Sequence, residues 1–136
     1  MSVAYAQETA LSAADYIAVI GATYMRDHRP IGNAERVAKI LAGSNMVVTA
    51  RDETGEIVGL GRGISDGEWV VYLADLAVRD DRQRQGIGSG ILKKMKEIIG
   101  PGMGIVLVAY PPAVDYYKKI GLGEMPAFFV DREIRT

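Results

Sequence analysis

The stretch from Leu76 to Gly90 has the sequence LAVRDDRQRQGIGSG and carries the strongest structural signals in this chain of 136 residues. It begins with apolar residues typical of a strand, continues as a charged loop, and ends in three glycines that alternate with other residues. Apolar residues then recur at helical spacing, which predicts a helix over Gly86–Ile99. The stretch therefore predicts a strand, a polar loop and a helix N-terminus in direct succession.

A helix N-terminus of this composition favours a phosphate-bearing ligand. The first amides of a helix lack intrahelical partners and lie at the positive end of its dipole, and glycine lets a ligand approach the backbone. Arg82, Arg84, Lys93 and Lys94 add positive charge. The dinucleotide fingerprint would need glycine where Ile91 stands, and no P-loop pattern is present. The alternative is that the glycines only form a turn.

Outward from this stretch, the patterns predict helices and strands in the order α-α-β-β-β-α-β-α-β, with a further strand near Val3–Gln7. Along the strand before the loop, alternation would place Val71, Leu73 and Asp75 on one face. We expect a single α/β domain over residues 1–136, with a mixed, mostly antiparallel sheet flanked by helices and a β-α-β crossover. The predicted elements are helices from Ser12 to about Met25, Ala34–Ala42, Gly86–Ile99 and Ala113–Ile120, and strands Met46–Ala50, Glu56–Gly63, Glu68–Val78, Gly104–Ala109 and Ala127–Val130.

Composition excludes several classes of protein. With no cysteine and one histidine, His28, disulfide scaffolds, thiolate metal sites and His-rich metal sites are excluded, so no metal is expected. The net charge is −1, but residues 79–96 contain six Lys and Arg residues against two Asp residues. Because this charge is confined to one loop and helix without interleaved aromatic residues, we expect no nucleic-acid partner. No apolar run suits a membrane helix and no signal-peptide pattern is evident, so a cytoplasmic protein is predicted.

The segment Gln83–Gly88, QRQGIG, resembles the (Q/R)xxGx(G/A) motif of the GNAT N-acetyltransferase family. Leu76–Val78 matches the strand before that motif, and Tyr116–Leu122 is similar to the family's late FYxxxGF segment. The segments Arg62–Asp66 and Trp69–Val78 also resemble the arylalkylamine, serotonin-type branch. The resemblance extends along most of the chain and implies the GNAT fold, in which the strands at 68–78 and 104–109 splay apart.

The resemblance also implies acetyl-CoA as the cofactor. Backbone groups of Leu76, Ala77 and Val78 would pair with the pantetheine arm of coenzyme A. Backbone amides would cradle its diphosphate, and the residues concerned are Arg84, Gln85, Gly86, Ile87, Gly88 and Ser89.

The implied chemistry is direct attack of an amine on the thioester, with a protonated group beside the leaving thiolate. Tyr117 matches the family's tyrosine and is expected to be the acid, since a phenol with a pKa of about 10 is protonated at neutral pH. Asp75 is the candidate base, and burial near apolar residues would raise its pKa. Alternatively Asp75 only attracts the ammonium group or faces solvent, and the amine loses its proton to water. Tyr116, at the family's Phe position, is expected in the core.

The expected function is transfer of an acetyl group to the primary amine of a small molecule. The alternatives are acetylation of a protein or peptide at Lys or an N-terminal amine, and a non-catalytic acyl-CoA sensor. In the loop near the expected acceptor site, His28 is a base candidate or a surface residue, and Arg26 and Arg29 either select an acidic substrate group or are solvated. Tyr110 stands where the family often has Asn. Dimers are common in the family, so the resemblance leaves a homodimer open.

Overall fold

The computed structural model describes residues 2–130 and 132 and contains one five-stranded sheet with its strands in chain order. Neighbouring strands are antiparallel, except that the last two are parallel and joined through a helix. This confirms the predicted mixed α/β sheet with a β-α-β crossover. The strands are β1 (Val3–Gln7), β2 (Met46–Asp52), β3 (Ile57–Ser65), β4 (Val70–Val78) and β5 (Gly104–Leu107), and the helices are α1 (Ala13–Gly21), α2 (Ala34–Ala42), α3 (Ile87–Ile99) and α4 (Val114–Lys119).

The first two helices begin where local capping residues predict. The Ser12 side chain accepts a hydrogen bond from the Asp15 amide at 3.1 Å, and the Asn33 side chain accepts one from the Arg36 amide at 3.1 Å. Helix α1 ends at Gly21, earlier than expected, because Thr23 caps a separate 3₁₀ turn over Tyr24–His28. Tyr24 of that turn lines one end of the cleft described below.

The core has two layers, one on each face of the sheet. Side chains of α1 and α2 pack on one face, where Tyr16, Ile20 and Val37 are fully buried. Helix α3 packs on the other face through Ile91 and Met95, which are also fully buried. The sheet therefore holds the N-terminus of α3 on the opposite face from α1 and α2.

Glycines in β3 allow α3 to lie close to the sheet. A Cβ at Gly59 would lie 2.8 Å from Ile87 Cγ2, and one at Gly61 would lie 2.7 Å from Ile91 Cγ2. Any side chain at these positions would push the helix away, since protein interiors are close-packed. The absence of side chains there sets the distance between β3 and the first turn of α3.

A β-bulge in β4 overturns the predicted alternation along this strand. Arg62 pairs with Asp75 but Gly63 pairs with Leu73, so Ala74 is the extra residue. Leu73 packs on the α3 side, whereas Asp75 contacts Tyr16 of α1 on the other face. The prediction that Leu73 and Asp75 share a face is therefore wrong, because the bulge shifts the alternation by one residue.

Strands β4 and β5 separate after a short paired region. Their parallel pairing extends from Val70 with Gly104 to Leu73 with Leu107, and β4 continues alone on that edge from Ala74 to Val78. This confirms the predicted splay. It leaves the backbone of Leu76–Val78 without a β5 partner.

The predicted strand over Ala127–Val130 is absent from the described residues, and this prediction is wrong. Phe128 is 96% exposed and Phe129 is 90% exposed. Apolar, strand-forming residues form a strand only where a neighbouring strand accepts their hydrogen bonds. In the described part of the chain no strand lies beside them.

Among residues 2–130 and 132, none of the helices is long and apolar enough to span a membrane.

Candidate active site

A cleft of about 470 Å³ opens where β4 and β5 separate. One wall is the free edge of β4, a second is the loop and first turn of α3, and a third is the segment from Tyr110 into α4. Tyr24 of the 3₁₀ turn closes one end. Residues from four parts of the chain therefore meet at one opening. They include Leu76, Val78, Arg84, Gly86, Gly88 and Tyr117.

The loop before α3 exposes the first amides of the helix to this cleft. Gly86 is the N-cap with φ 76°, and no side chain caps the helix. Arg84 also has a positive φ, 62°, which is rare for a residue with a side chain. The Gln83 side chain donates a hydrogen bond to the Val78 carbonyl at 2.7 Å and ties the loop to the end of β4. Uncapped amides, with Arg84 at the rim, suit an anionic ligand.

Most of the predicted cofactor-binding residues line this cleft, and three do not. Leu76, Val78, Arg84 and the Gly86–Gly88 segment line it directly. The Ala77 side chain is fully buried in the α1 and α2 layer, so only its backbone can face a ligand. Gln85 accepts a hydrogen bond from Arg82 at 3.2 Å, and Ser89 contacts Tyr116.

Tyr117 lies in the same cleft as the free edge of β4. It also lines a second cleft beside β5 and α4, so it is shared by the two. Burial, followed by the nearby Tyr24 and Tyr116 phenols, raises the pKa of Tyr117 to about 12. Its hydroxyl is therefore protonated at neutral pH, as an acid requires.

Asp75 is fully buried in a charged network rather than open to the cleft. Its two carboxylate oxygens accept hydrogen bonds from Arg29 Nε at 2.5 Å, Arg62 Nε at 2.6 Å and the Tyr16 hydroxyl at 2.6 Å. Burial would raise the pKa of Asp75, but the hydrogen bond and charge of Arg62 and the charge of Arg29 outweigh it and lower the pKa. The expectation of a raised pKa for Asp75 is wrong, because α1, β3 and the residue after the 3₁₀ turn each supply a partner for the carboxylate.

The loop residues in and directly after the 3₁₀ turn are held by contacts within the protein. Arg29 also donates hydrogen bonds to the carbonyls of His28 at 2.7 Å and Ala74 at 2.8 Å, so it is neither solvated nor free for a substrate. Arg26 pairs with Asp80 at 3.3 Å. The exposed His28 ring lies 4.8 Å from the Tyr110 ring, measured between centroids. The Tyr24 ring also lies 5.9 Å from the Tyr110 ring, so aromatic rings cluster at this end of the cleft.

Comparison with known proteins identifies the family. The family model described as the acetyltransferase (GNAT) family matches residues 14–122. The chain belongs to the GNAT family. No curated protein sequence matches it.

Solved structures of acetyltransferases share this GNAT fold. A GNAT family protein from Streptococcus pneumoniae has a TM-score of 0.71 at 21% identity, over 97% of this chain and 100% of that one. An aminoglycoside acetyltransferase from an uncultured soil metagenomic sample has a TM-score of 0.74 at 24% identity, over 99% and 100%. A second such enzyme, solved in complex with sisomicin, has a TM-score of 0.72 at 19% identity, over 98% and 97%.

GNAT acetyltransferases generally use acetyl-CoA, and two features of the cleft are compatible with parts of that ligand. The splayed strand edge can accept an extended arm, and the uncapped start of α3 can accept phosphates. Within residues 2–130 and 132, no group of three or more His, Cys, Asp or Glu side chains is arranged to hold a metal ion.

Sequence reasoning missed two contributors to this GNAT site. Gln83 belonged to the motif, yet its part in fastening the loop to β4 shows only in the hydrogen bond to Val78. Tyr116 was expected in the core, but it is 38% exposed and lines the cleft. The signal that could have revealed it is its hydroxyl, since the family motif has Phe at this position.

Proposed function

We propose that this GNAT protein is an acetyl-CoA-dependent N-acetyltransferase that acts on the primary amine of a small molecule. The observation that carries the proposal is one cleft that combines three parts. They are the unpaired edge of β4, the uncapped N-terminus of α3, and the protonated phenol of Tyr117. An extended arm, a diphosphate and a leaving thiolate would each meet a suitable partner there.

In this proposal the backbone of Leu76, Ala77 and Val78 pairs with the pantetheine arm, since β5 leaves that edge free. The amides from Arg84 to Ser89 bind the diphosphate, and Arg84 adds a positive charge. When bound, acetyl-CoA supplies an activated acetyl thioester. These contacts would hold it in the splay beside Tyr117.

Tyr117 is the proposed catalytic acid. A phenol with a pKa of about 12 keeps its proton throughout the neutral range and can donate it to the departing sulfur. A backbone amide near Leu76 is the proposed donor to the thioester oxygen, since the splay frees that edge.

For the proton of the attacking amine we propose transfer to water rather than to Asp75. Both carboxylate oxygens of Asp75 already accept hydrogen bonds, and its pKa is lowered. A base with a low pKa and no exposed surface is poorly suited to take a proton from an amine. Asp75 instead fixes the bulge of β4 that precedes Leu76.

A small-molecule acceptor is favoured over a peptide by the lining of the cleft. Tyr24, Tyr110 and Tyr117 contribute aromatic rings, and no carboxylate lines the cleft among the described residues. An open acidic groove, which would attract a Lys side chain of a protein, is not seen there. A compact amine with apolar parts matches the rings better.

The proposal is tested by mixing the purified protein with acetyl-CoA and a panel of acceptors, and following both free thiol and acetylated product by mass spectrometry. The panel contains phenylethylamine, tryptamine, an aminoglycoside and a lysine-containing peptide. We expect thiol release and product with at least one small amine. Acetylation of the peptide alone would favour the protein-acetylating alternative. Tight coenzyme A binding without thiol release from any acceptor would indicate an acyl-CoA sensor.

A further inference from the structure

The guanidinium of Arg29 makes three contacts with groups from two separate parts of the chain. Its Nε donates to the Asp75 carboxylate at 2.5 Å, its Nη1 to the His28 carbonyl at 2.7 Å, and its Nη2 to the Ala74 carbonyl at 2.8 Å. All three donors belong to one planar, rigid group, and the Arg29 side chain is only 19% exposed. The three acceptors are therefore held at fixed distances from one another.

Two of these acceptors form the bulge of β4. The pairing of β4 with β3 passes from Leu73 to Asp75, and its pairing with β5 ends at Leu73, so Ala74 has no partner residue in either neighbouring strand. A backbone carbonyl in a protein needs a hydrogen-bond donor, and the Ala74 carbonyl receives one from a side chain, Arg29. Because the same guanidinium also contacts Asp75, Arg29 fixes two consecutive residues of the bulge.

The bulge decides how the free edge of β4 presents its backbone to the cleft. The backbone groups of a strand face its two neighbours in alternation, and a bulge shifts that alternation by one residue. Leu76 follows the bulge almost directly, and its backbone lies on the edge that β5 leaves free. If the bulge moved, the backbone groups from Leu76 onward would change direction. The geometry at the proposed thioester site therefore depends on the contacts at Ala74.

The third acceptor belongs to the part of the chain that closes the other end of the cleft. His28 is the last residue of the 3₁₀ turn, and Tyr24 at the start of that turn lines the cleft. The rings of Tyr24 and His28 lie 5.9 Å and 4.8 Å from the ring of Tyr110, which also lines the cleft. Arg29 thus connects the bulge of β4 to the turn that carries part of the aromatic lining.

We infer that Arg29 is a positioning residue for acetyl transfer. Its guanidinium holds the bulge of β4 and the 3₁₀ turn at a fixed separation, and so sets where the thioester and the acceptor amine meet. The inference rests on the proposed function, since it takes the edge of β4 as the thioester site and the aromatic end of the cleft as the acceptor site. Arg29 touches neither ligand and acts through Ala74 and His28.

The test is Arg29→Lys. Lysine keeps a positive charge beside Asp75, but a single ammonium on a flexible chain cannot hold both carbonyls in the geometry of the guanidinium. We expect kcat with the best acceptor of the panel to fall roughly 10- to 100-fold, since a misplacement of about 1 Å can cost that much. Coenzyme A affinity by isothermal titration should stay within about threefold of the wild type, because the start of α3 makes no contact with Arg29. A residue that only stabilised the fold would leave kcat of the folded protein unchanged.

Arg26→Lys is the matched control, because it is the same substitution within the adjoining 3₁₀ turn. Arg26 pairs with Asp80 at 3.3 Å and donates to the Thr23 carbonyl at 2.7 Å, and neither acceptor belongs to the bulge. Its kcat should stay within about twofold of the wild type, since the bulge keeps its contacts. Wild-type kcat in Arg29→Lys, or an equal loss in Arg26→Lys, overturns the inference.

Amide hydrogen exchange followed by NMR gives a readout that needs no turnover. In Arg29→Lys the amides of Asp75–Val78 should exchange about tenfold faster or more, while those of α3 stay within about twofold, because only the bulge is loosened. Unchanged exchange over Asp75–Val78 also overturns the inference. If circular dichroism shows Arg29→Lys unfolded, Arg29→Gln decides by the same two readouts. A wild type that acetylates no acceptor would refute the proposed function instead, and the exchange comparison still decides whether Arg29 holds the bulge.

Discussion

Tyr117 is the residue whose removal should affect chemistry most and binding least. Tyr117→Phe keeps the ring that lines both clefts but removes the proton proposed for the leaving sulfur. We expect kcat to fall by about 10²- to 10³-fold, within the usual range for a lost acid. Coenzyme A affinity by titration should stay within about twofold of the wild type.

The pH profile gives Tyr117 a second test. Its pKa is raised to about 12, so ionisation of the phenol should not lower the rate between about pH 7 and pH 10. With a small amine acceptor, kcat/KM should rise over this range as the amine loses its proton. A fall in the wild-type profile near pH 8, absent from Tyr117→Phe, would contradict the assignment.

Asp75 is expected to stabilise the fold rather than to act as a base. Asp75→Asn would leave the guanidinium groups of Arg62 and Arg29 without their counter-charge in a buried site. Removing one partner of a buried ion pair costs about 3–5 kcal/mol, so urea unfolding at pH 7 should show a loss of this order. A variant as stable as the wild type that has lost turnover would support the base role instead.

The contribution of Asp75 to the unfolding free energy should decrease at low pH. The pKa of Asp75 is lower in the folded protein, so its contribution is complete above the unfolded value of about 3.9. The contribution is lost as the pH falls through the folded pKa. The difference in unfolding free energy between wild type and Asp75→Asn should therefore shrink as the pH is lowered below about 4.

At the scale of elements, the site depends on how closely α3 approaches the sheet. Among the glycines of the described residues, Gly90 leaves the least space for a side chain, because a Cβ there would lie 2.3 Å from Cζ and the hydroxyl oxygen of Tyr5 in β1. Gly90→Ala should lower the unfolding free energy by about 1–2 kcal/mol, since overpacking outweighs the gain in helix propensity.

Gly102→Ala provides the matched control for that substitution. Gly102 follows α3, and nothing lies within 4 Å of the Cβ that alanine would add. Its midpoint of urea unfolding should equal or slightly exceed that of the wild type. Equal midpoints for the two variants would show that Tyr5 can move away at little cost.

Elements set by local signals were predictable, and those set by pairing were not. Helix α2 has the expected bounds because Asn33 caps its start and Gly43 ends it, both within the helix's own segment. The bulge at Ala74 depends on how β4 pairs with β3, which no pattern within β4 records. The strand expected over Ala127–Val130 failed for the same reason, since a strand needs a neighbour.

At the scale of the whole molecule, charge is segregated along the chain. Residues 79–96 carry the excess of Lys and Arg, and the loop and the first turn of α3 within this range line one side of the cleft. The rest of the chain carries a net negative charge. Within it, the candidate base Asp75 is paired with Arg29 and Arg62 inside the protein. Anionic ligands should therefore be attracted to the α3 side of the cleft.

The sequence alone was enough to establish the GNAT family, the order of most elements and the glycine-rich loop, because these depend on residue types at short spacing. Only the tertiary structure decided which groups are free to act. The carboxylate of Asp75 lost that freedom to Arg29, Arg62 and Tyr16, which lie far from it in the chain, and the hydroxyl of Tyr116 gained a place in the cleft. Burial and hydrogen bonding are properties of neighbours in space, and they determine whether a side chain can reach a ligand or hold its proton.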